Sequence, residues 1–89
     1  MSNPDIELFN FPCAFPVKVI GKDVDRFTEI VTEIIRRHAP DLALDAVTTR
    51  PSAGGKYIAV TATFTAQSRE QLDAMYRELS GNEQVLYVL

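Results

Sequence analysis

An α+β sandwich of β-α-β-β-α-β order is what the sequence predicts, and three observations predict it. Phe27, Ile30, Val31, Ile34, Ile35 and His38 recur at the spacing of one helical face. From Tyr57 to Ala66 the residues alternate strictly, with Ile58, Val60, Ala62 and Phe64 on one side and Tyr57, Ala59, Thr61, Thr63 and Thr65 on the other. That is the period of a strand with one face against a core. Ser68 and Gln71 then open a second helical stripe, Leu72, Met75, Tyr76 and Leu79, with the S-x-x-Q spacing of a capping box.

Along the chain, Pro4, Pro12 and Pro16 interrupt the apolar residues Ile6, Leu8, Phe9, Phe11 and Phe15. Proline lacks the N–H that a sheet ladder needs, so residues 1–14 read as an N-terminal arm, with Asp5 to Cys13 laying aromatics over the rim of the core. Phe15 to Gly21 is the first strand, built on Val17, Val19 and Ile20 and ended by a glycine turn. Asp23 is placed as N-cap of a first helix, Asp23 to His38. Glu29 and Glu33 lie towards its positive end and Arg36, Arg37 and His38 in its last turn, as the helix dipole favours, and Pro40 stops it.

Val47, Thr48 and Thr49 give Leu42 to Arg50 the β-branched character of a second strand. Pro51-Ser52-Ala53-Gly54-Gly55 supplies the turn of a hairpin into Tyr57 to Ala66. A second helix, Ser68 to Ser80, stops at Gly81, and Gln84 to Leu89 is a short last strand. Two interleaved right-handed βαβ units give a ferredoxin-like βαββαβ sandwich, one domain over residues 1–89, with a four-stranded antiparallel sheet and two helices on one face. The other sheet face, with Lys18, Tyr57, Thr61 and Thr63, stays open to solvent or to a partner.

The 89 residues are 46% hydrophobic and 24% charged, the balance of a chain that folds around a core. Nine Lys and Arg against twelve Asp and Glu leave a net charge of -3, so the whole-molecule field disfavours general nucleic-acid binding. A lone Cys13 makes no internal disulfide, and with a lone His38 it cannot complete a four-ligand zinc site. No metal and no cofactor are expected. The first residues lack a secretory signal's basic and apolar regions, and no apolar run nears the ~20 residues of a membrane span. A cytoplasmic protein without membrane contact is the expectation.

Five places carry chemistry worth weighing. Cys13 has no cation or helix N-terminus adjacent in sequence to activate its thiol, so it reads as a small hydrophobe. His38, in the last turn of its helix, reads as a capping or packing residue, because acid–base work needs a partner that the sequence does not identify. The loop from Arg50 to Lys56 is the candidate ligand site: Arg50 and Lys56 flank Ser52, Gly54 and Gly55, whose backbone N–H groups can face an anion. Its plain alternative is a turn that needs glycine. Gly21 to Arg26 lies where acylphosphatases of the same topology bind phosphate, but Asp23 and Asp25 make a poor anion cradle. Tyr57 beside Lys18 invites comparison with RNA-recognition modules, which stack bases on sheet aromatics, although those carry more aromatics and a basic field.

The stretches Phe11-Pro12-Cys13-Ala14-Phe15-Pro16-Val17-Lys18-Val19-Ile20-Gly21, Arg37-His38-Ala39-Pro40, Pro51-Ser52-Ala53-Gly54-Gly55-Lys56-Tyr57 with Val60-Thr61, and Glu70-Gln71 with Tyr76-Arg77-Glu78-Leu79 carry a resemblance. The chain resembles a family of small bacterial proteins typified by YbeD, from about Leu8 to Leu89. The resemblance implies a ferredoxin-like domain similar to the small-molecule-binding ACT regulatory domains, and it brings no catalytic residue and no cofactor. The turn departs from the family pattern, reading Ser52-Ala53 where the family begins with two serines, which removes one hydroxyl from an anion cradle.

The expected function is therefore non-enzymatic: a small regulatory or adaptor domain that binds a small molecule or a protein partner, ACT-like, as a homodimer through a sheet edge or the open face. The alternatives are a nucleic-acid-binding module of RNA-recognition-like topology and an enzyme using the 50–56 loop. A basic patch on one face separates out the first alternative. A deep pocket joining His38 or Cys13 to the loop separates out the second.

Overall fold

The computed structural model describes residues 10–24, 26–52 and 54–89. Its elements are β1 (Cys13–Lys22), α1 (Phe27–His38), a 3-10 turn (Leu44–Ala46), β2 (Val47–Pro51), β3 (Tyr57–Ala66), α2 (Arg69–Ser80) and β4 (Val85–Val88). The sheet runs β2-β3-β1-β4 and each neighbouring pair is antiparallel, which is the ferredoxin-like order expected. Alternation decides which side chains enter the core. Val17 and Val19 of β1 and Val60, Ala62, Phe64 and Ala66 of β3 are buried against Phe27, Val31, Ile34 and Ile35 of α1 and Leu72, Met75 and Leu79 of α2. These side chains form one continuous cluster, the non-directional burial that dominates folding energetics.

Four local expectations are corrected. β1 begins at Cys13 rather than Phe15 and runs through Pro16. Pro16 is opposite Thr63, and its nitrogen points the way the Lys18 N–H does, towards β4. Lys18 pairs with Leu89 there, and β4 does not extend alongside Pro16, so the missing donor breaks no ladder bond. Residues 1–9 of the expected arm lie outside the described residues, while Phe11 and Cys13 pack against the core rim.

α1 begins at Phe27, four residues after Asp23, and Asp23 does not cap it. The Asp23 N–H instead donates to the Lys56 carbonyl at 3.0 Å, tying the β1–α1 connection to the β2–β3 hairpin. Arg26 takes the N-cap position in the left-handed region at φ 66 with no side-chain cap bond. The second strand is shorter than Leu42 to Arg50. Leu42 donates to Ala39 and Ala46 to Ala43, so the segment curls into a 3-10 turn before extending at Val47.

The capping box is half formed. Ser68 Oγ accepts from the Gln71 N–H at 3.1 Å as expected. Gln71 Oε1 accepts from the Gln67 N–H at 2.6 Å rather than from Ser68, and Gln71 Nε2 donates to the His38 carbonyl at 2.8 Å. One side chain thus joins the start of α2 to the end of α1, satisfying a carbonyl that a helix terminus leaves without a partner.

Candidate functional site

The strands carry Lys18, Lys22 and Arg50 and no Asp or Glu. Carboxylates with basic partners belong to the helices, in the pairs Arg26–Glu29, Arg37–Glu78 and Arg69–Asp73. The two helices carry five acids against four Arg, so the net negative charge of the molecule lies chiefly in the N-terminal arm and the connecting segments. Among the described residues no carboxylate pairs with Lys18, Lys22 or Arg50.

Register places these cations together. Val17 and Val19 face the core, so Lys18, Ile20 and Lys22 face the open side. Opposite them on β3 are Thr61, Ala59 and Tyr57, and opposite Thr61 and Ala59 on β2 are Thr48 and Arg50. Across the other edge Tyr87 of β4 is the partner of Ile20. A concavity of about 490 Å³ opens on this face, lined by Lys18, Ile20, Arg50, Ser52, Tyr57 and Ala59 among others. Ile20 and Ala59 give it an apolar floor, and Lys18 and Arg50 supply cations at its rim.

The five expected ligand residues divide. Arg50 and Ser52 line the concavity. Gly54 and Gly55 shape the turn, at φ 94 and φ 71, where a side chain would be strained. Lys56 lines a separate hollow with Lys22, Asp23, Val24, Gly55 and Tyr57. The turn also uses its own donors. Ser52 N–H donates to the Tyr57 carbonyl, Gly55 N–H to the Ser52 carbonyl, and Tyr57 N–H to Ser52 Oγ. Sequence reasoning named Lys18 and Tyr57 without joining them to Arg50, placed Ala59 on the same face without giving it a role, and missed Tyr87. The absence of acids from the predicted strands Phe15 to Gly21, Tyr57 to Ala66 and Gln84 to Leu89 was the signal available.

His38 is not a cap for its own helix. Its Nε2 lies 2.7 Å from Glu78 Oε1 on α2, and Arg37 bonds the other oxygen of the same carboxylate. The His38 hydrogen bond, aided by the charge of Arg37, holds the Glu78 carboxyl below the usual carboxylate range. Because the folded value is depressed, the stability this cluster contributes is complete above the unfolded carboxyl range. It is lost as pH falls through the folded value. Glu78→Gln is expected to lower stability at neutral pH by roughly 0.2–1 kcal/mol, the range for exposed pairs, with the difference vanishing under acid. Urea melts of both forms across pH 2 to 7 read this, and a gap that widens under acid contradicts it. Neither His38 nor Cys13 lines the open-face concavity.

The family described as "Protein of unknown function (DUF493)" matches residues 6–89. The chain belongs to this family. Among its relatives, a UPF0250 protein of Chromobacterium violaceum is 49% identical over the whole of both chains. One of Leptothrix cholodnii is 51% identical over 92% of this chain and 90% of that protein. Among solved structures, HP0495 from H. pylori superposes with a TM-score of 0.68 at 14% identity, covering 91% of this chain and 85% of that one. The ACT domain from GTP pyrophosphokinase of Chlorobium tepidum gives 0.67 at 14% identity, covering 86% and 83%. At such identities the likeness is one of fold alone. No helix among the described residues is long and apolar enough to cross a membrane.

Proposed function

We propose that this family member is a non-catalytic regulatory or adaptor domain that takes an anionic small molecule on the open face of its sheet. The observation that carries the reading is the sorting of charge: acid-free strands present Lys18, Lys22 and Arg50 together, and two of these line one concavity. Exposed cations without carboxylate partners among the described residues can be complemented by an anion, and Arg50 offers a planar fork suited to phosphate or carboxylate. The volume lies within the roughly 300–1,000 Å³ of small-molecule sites. The fold likeness to an ACT domain supports the same class, although fold alone does not assign function.

A thermal-shift screen of small phosphorylated and carboxylated compounds tests the reading. A ligand at 100 times its dissociation constant should stabilise the protein by roughly 2.7 kcal/mol. Lys18→Ala and Arg50→Ala should each shrink that shift, whereas Arg36→Ala, a cation on the outer surface of α1, should leave it intact. Equal responses from all three variants would overturn the assignment to this face.

A further inference from the structure

We infer that the concavity between Lys18, Arg50 and Tyr57 is a site for a nucleoside phosphate, its phosphate held by the two cations and its base laid against the tyrosine ring. The inference rests on the anionic-ligand reading above and adds a chemical class to it. A small inorganic anion uses only half of what the concavity offers. Its floor, Ile20 and Ala59, is apolar, and its wall includes Tyr57, a ring that remains 42% exposed. A ligand made wholly of charge would cover that apolar surface without gaining from it. One with a charged end and a flat apolar end matches both parts.

The register gives the two ends different addresses. Arg50 and Ile20 flank Ala59 on either side, and Lys18 stands on the same face of β1 as Ile20, two residues away. Tyr57 is opposite Lys22, on the hairpin side of that row, with the Ser52 hydroxyl also at the concavity. Tyr87, 53% exposed, stands on the same face as the partner of Ile20 on β4. Two exposed tyrosines thus flank a row of cations on one sheet face, the combination of stacking rings and backbone-tracking charge that nucleotides meet in single-strand-binding sheets. Ring stacking does not depend on base identity, so the site should accept purine and pyrimidine nucleotides alike.

Isothermal calorimetry with three probes, adenosine monophosphate, pyrophosphate and adenosine, tests this on the full chain. The monophosphate should bind more tightly than adenosine, and Lys18→Ala and Arg50→Ala should each weaken it. Tyr57→Ser should weaken the monophosphate by about tenfold or more while leaving pyrophosphate unchanged, and Tyr57→Phe should restore wild-type affinity by keeping the ring. Ala59→Leu should weaken both ligands by filling the floor. Melting curves of each variant confirm that it is folded. A five-residue oligoadenylate distinguishes the source of the nucleotide. Binding much tighter than the monophosphate, lost in Tyr87→Ser, points to a strand crossing the face, and equal binding points to a free nucleotide. If pyrophosphate binds through Lys18 and Arg50 while Tyr57→Ser binds the monophosphate as wild type does, the anion site stands and the nucleoside proposal falls. If neither probe binds, both readings fall.

Discussion

Gly21→Ala is expected to destabilise the protein by roughly 3 kcal/mol, the upper part of the usual overpacking range. A Cβ at Gly21 would lie 2.3 Å from Phe27 Cζ, 2.4 Å from Phe27 Cε1 and 2.5 Å from the Gln84 carbonyl oxygen. Neither neighbour yields cheaply. Phe27 is 1% exposed and wedged at the start of α1, and the Gln84 oxygen belongs to the backbone leading into β4. The same residue lies where the β1–β4 register shifts, so an added methyl opposes both the helix and the edge strand. For a domain of this size the loss corresponds to a fall of more than about 10 °C in melting temperature. Gly81→Ala is the control, since its nearest contact would be 3.3 Å and its φ is -79. Urea melts in which Gly21→Ala and Gly81→Ala lose equal stability would contradict the close approach of Phe27 to β1.

Ile34→Ala is expected to cost roughly 2–5 kcal/mol, the transfer energy of the lost side chain plus the cavity it leaves. Ile34 is 3% exposed in the cluster that α1, α2 and the sheet share, and few neighbouring groups can collapse into a space enclosed by two layers. Leu44→Ala removes a similar side chain from the 3-10 turn, where it is 67% exposed, and should change stability by less than about 0.5 kcal/mol. Chemical denaturation of the two variants beside the wild type reads the contrast directly. Similar losses would mean that the stripe of α1 does not face the sheet.

Periodicity made most of this fold legible. The alternation from Tyr57 to Ala66 marks β3 to the residue, because a strand buried on one face writes its period into its side chains. The stripe of α1 did the same for its body and C-terminal end. What periodicity does not encode is where backbone donors go. Asp23 has the side chain of an N-cap, yet its N–H is bonded to Lys56, a residue 33 positions away, and the helix waits until Phe27. The strand limit at Phe15 failed for a related reason. Whether Pro16 interrupts a sheet depends on how far β4 extends beside it, which is a tertiary fact.

The candidate site was legible only in part, for a physical reason. Lys18, Arg50 and Tyr57 come from three strands, and only the register Lys18↔Thr61, Arg50↔Ala59 and Lys22↔Tyr57 brings them to one face. The Arg50 to Lys56 loop stood out because its residues are contiguous, but the hairpin directs Arg50 into the sheet face and consumes several of the loop's own donors. Net charge likewise carries no positional information. A total of -3 is a sum over strands, helices and connecting segments, and the strands themselves carry three cations and no acid. His38 likewise acquired its carboxylate partner from α2, 40 residues away in the chain.

The open face is tested most directly by titrating the isotopically labelled protein with pyrophosphate and following its backbone amide resonances at low salt. Saturable shifts centred on Lys18, Ile20, Arg50, Ser52, Tyr57 and Ala59, with Glu33, Arg36 and Glu78 unmoved, are the expected result. Shifts centred on α1 and α2, or no saturable change anywhere on the sheet, would contradict an anion site on this face.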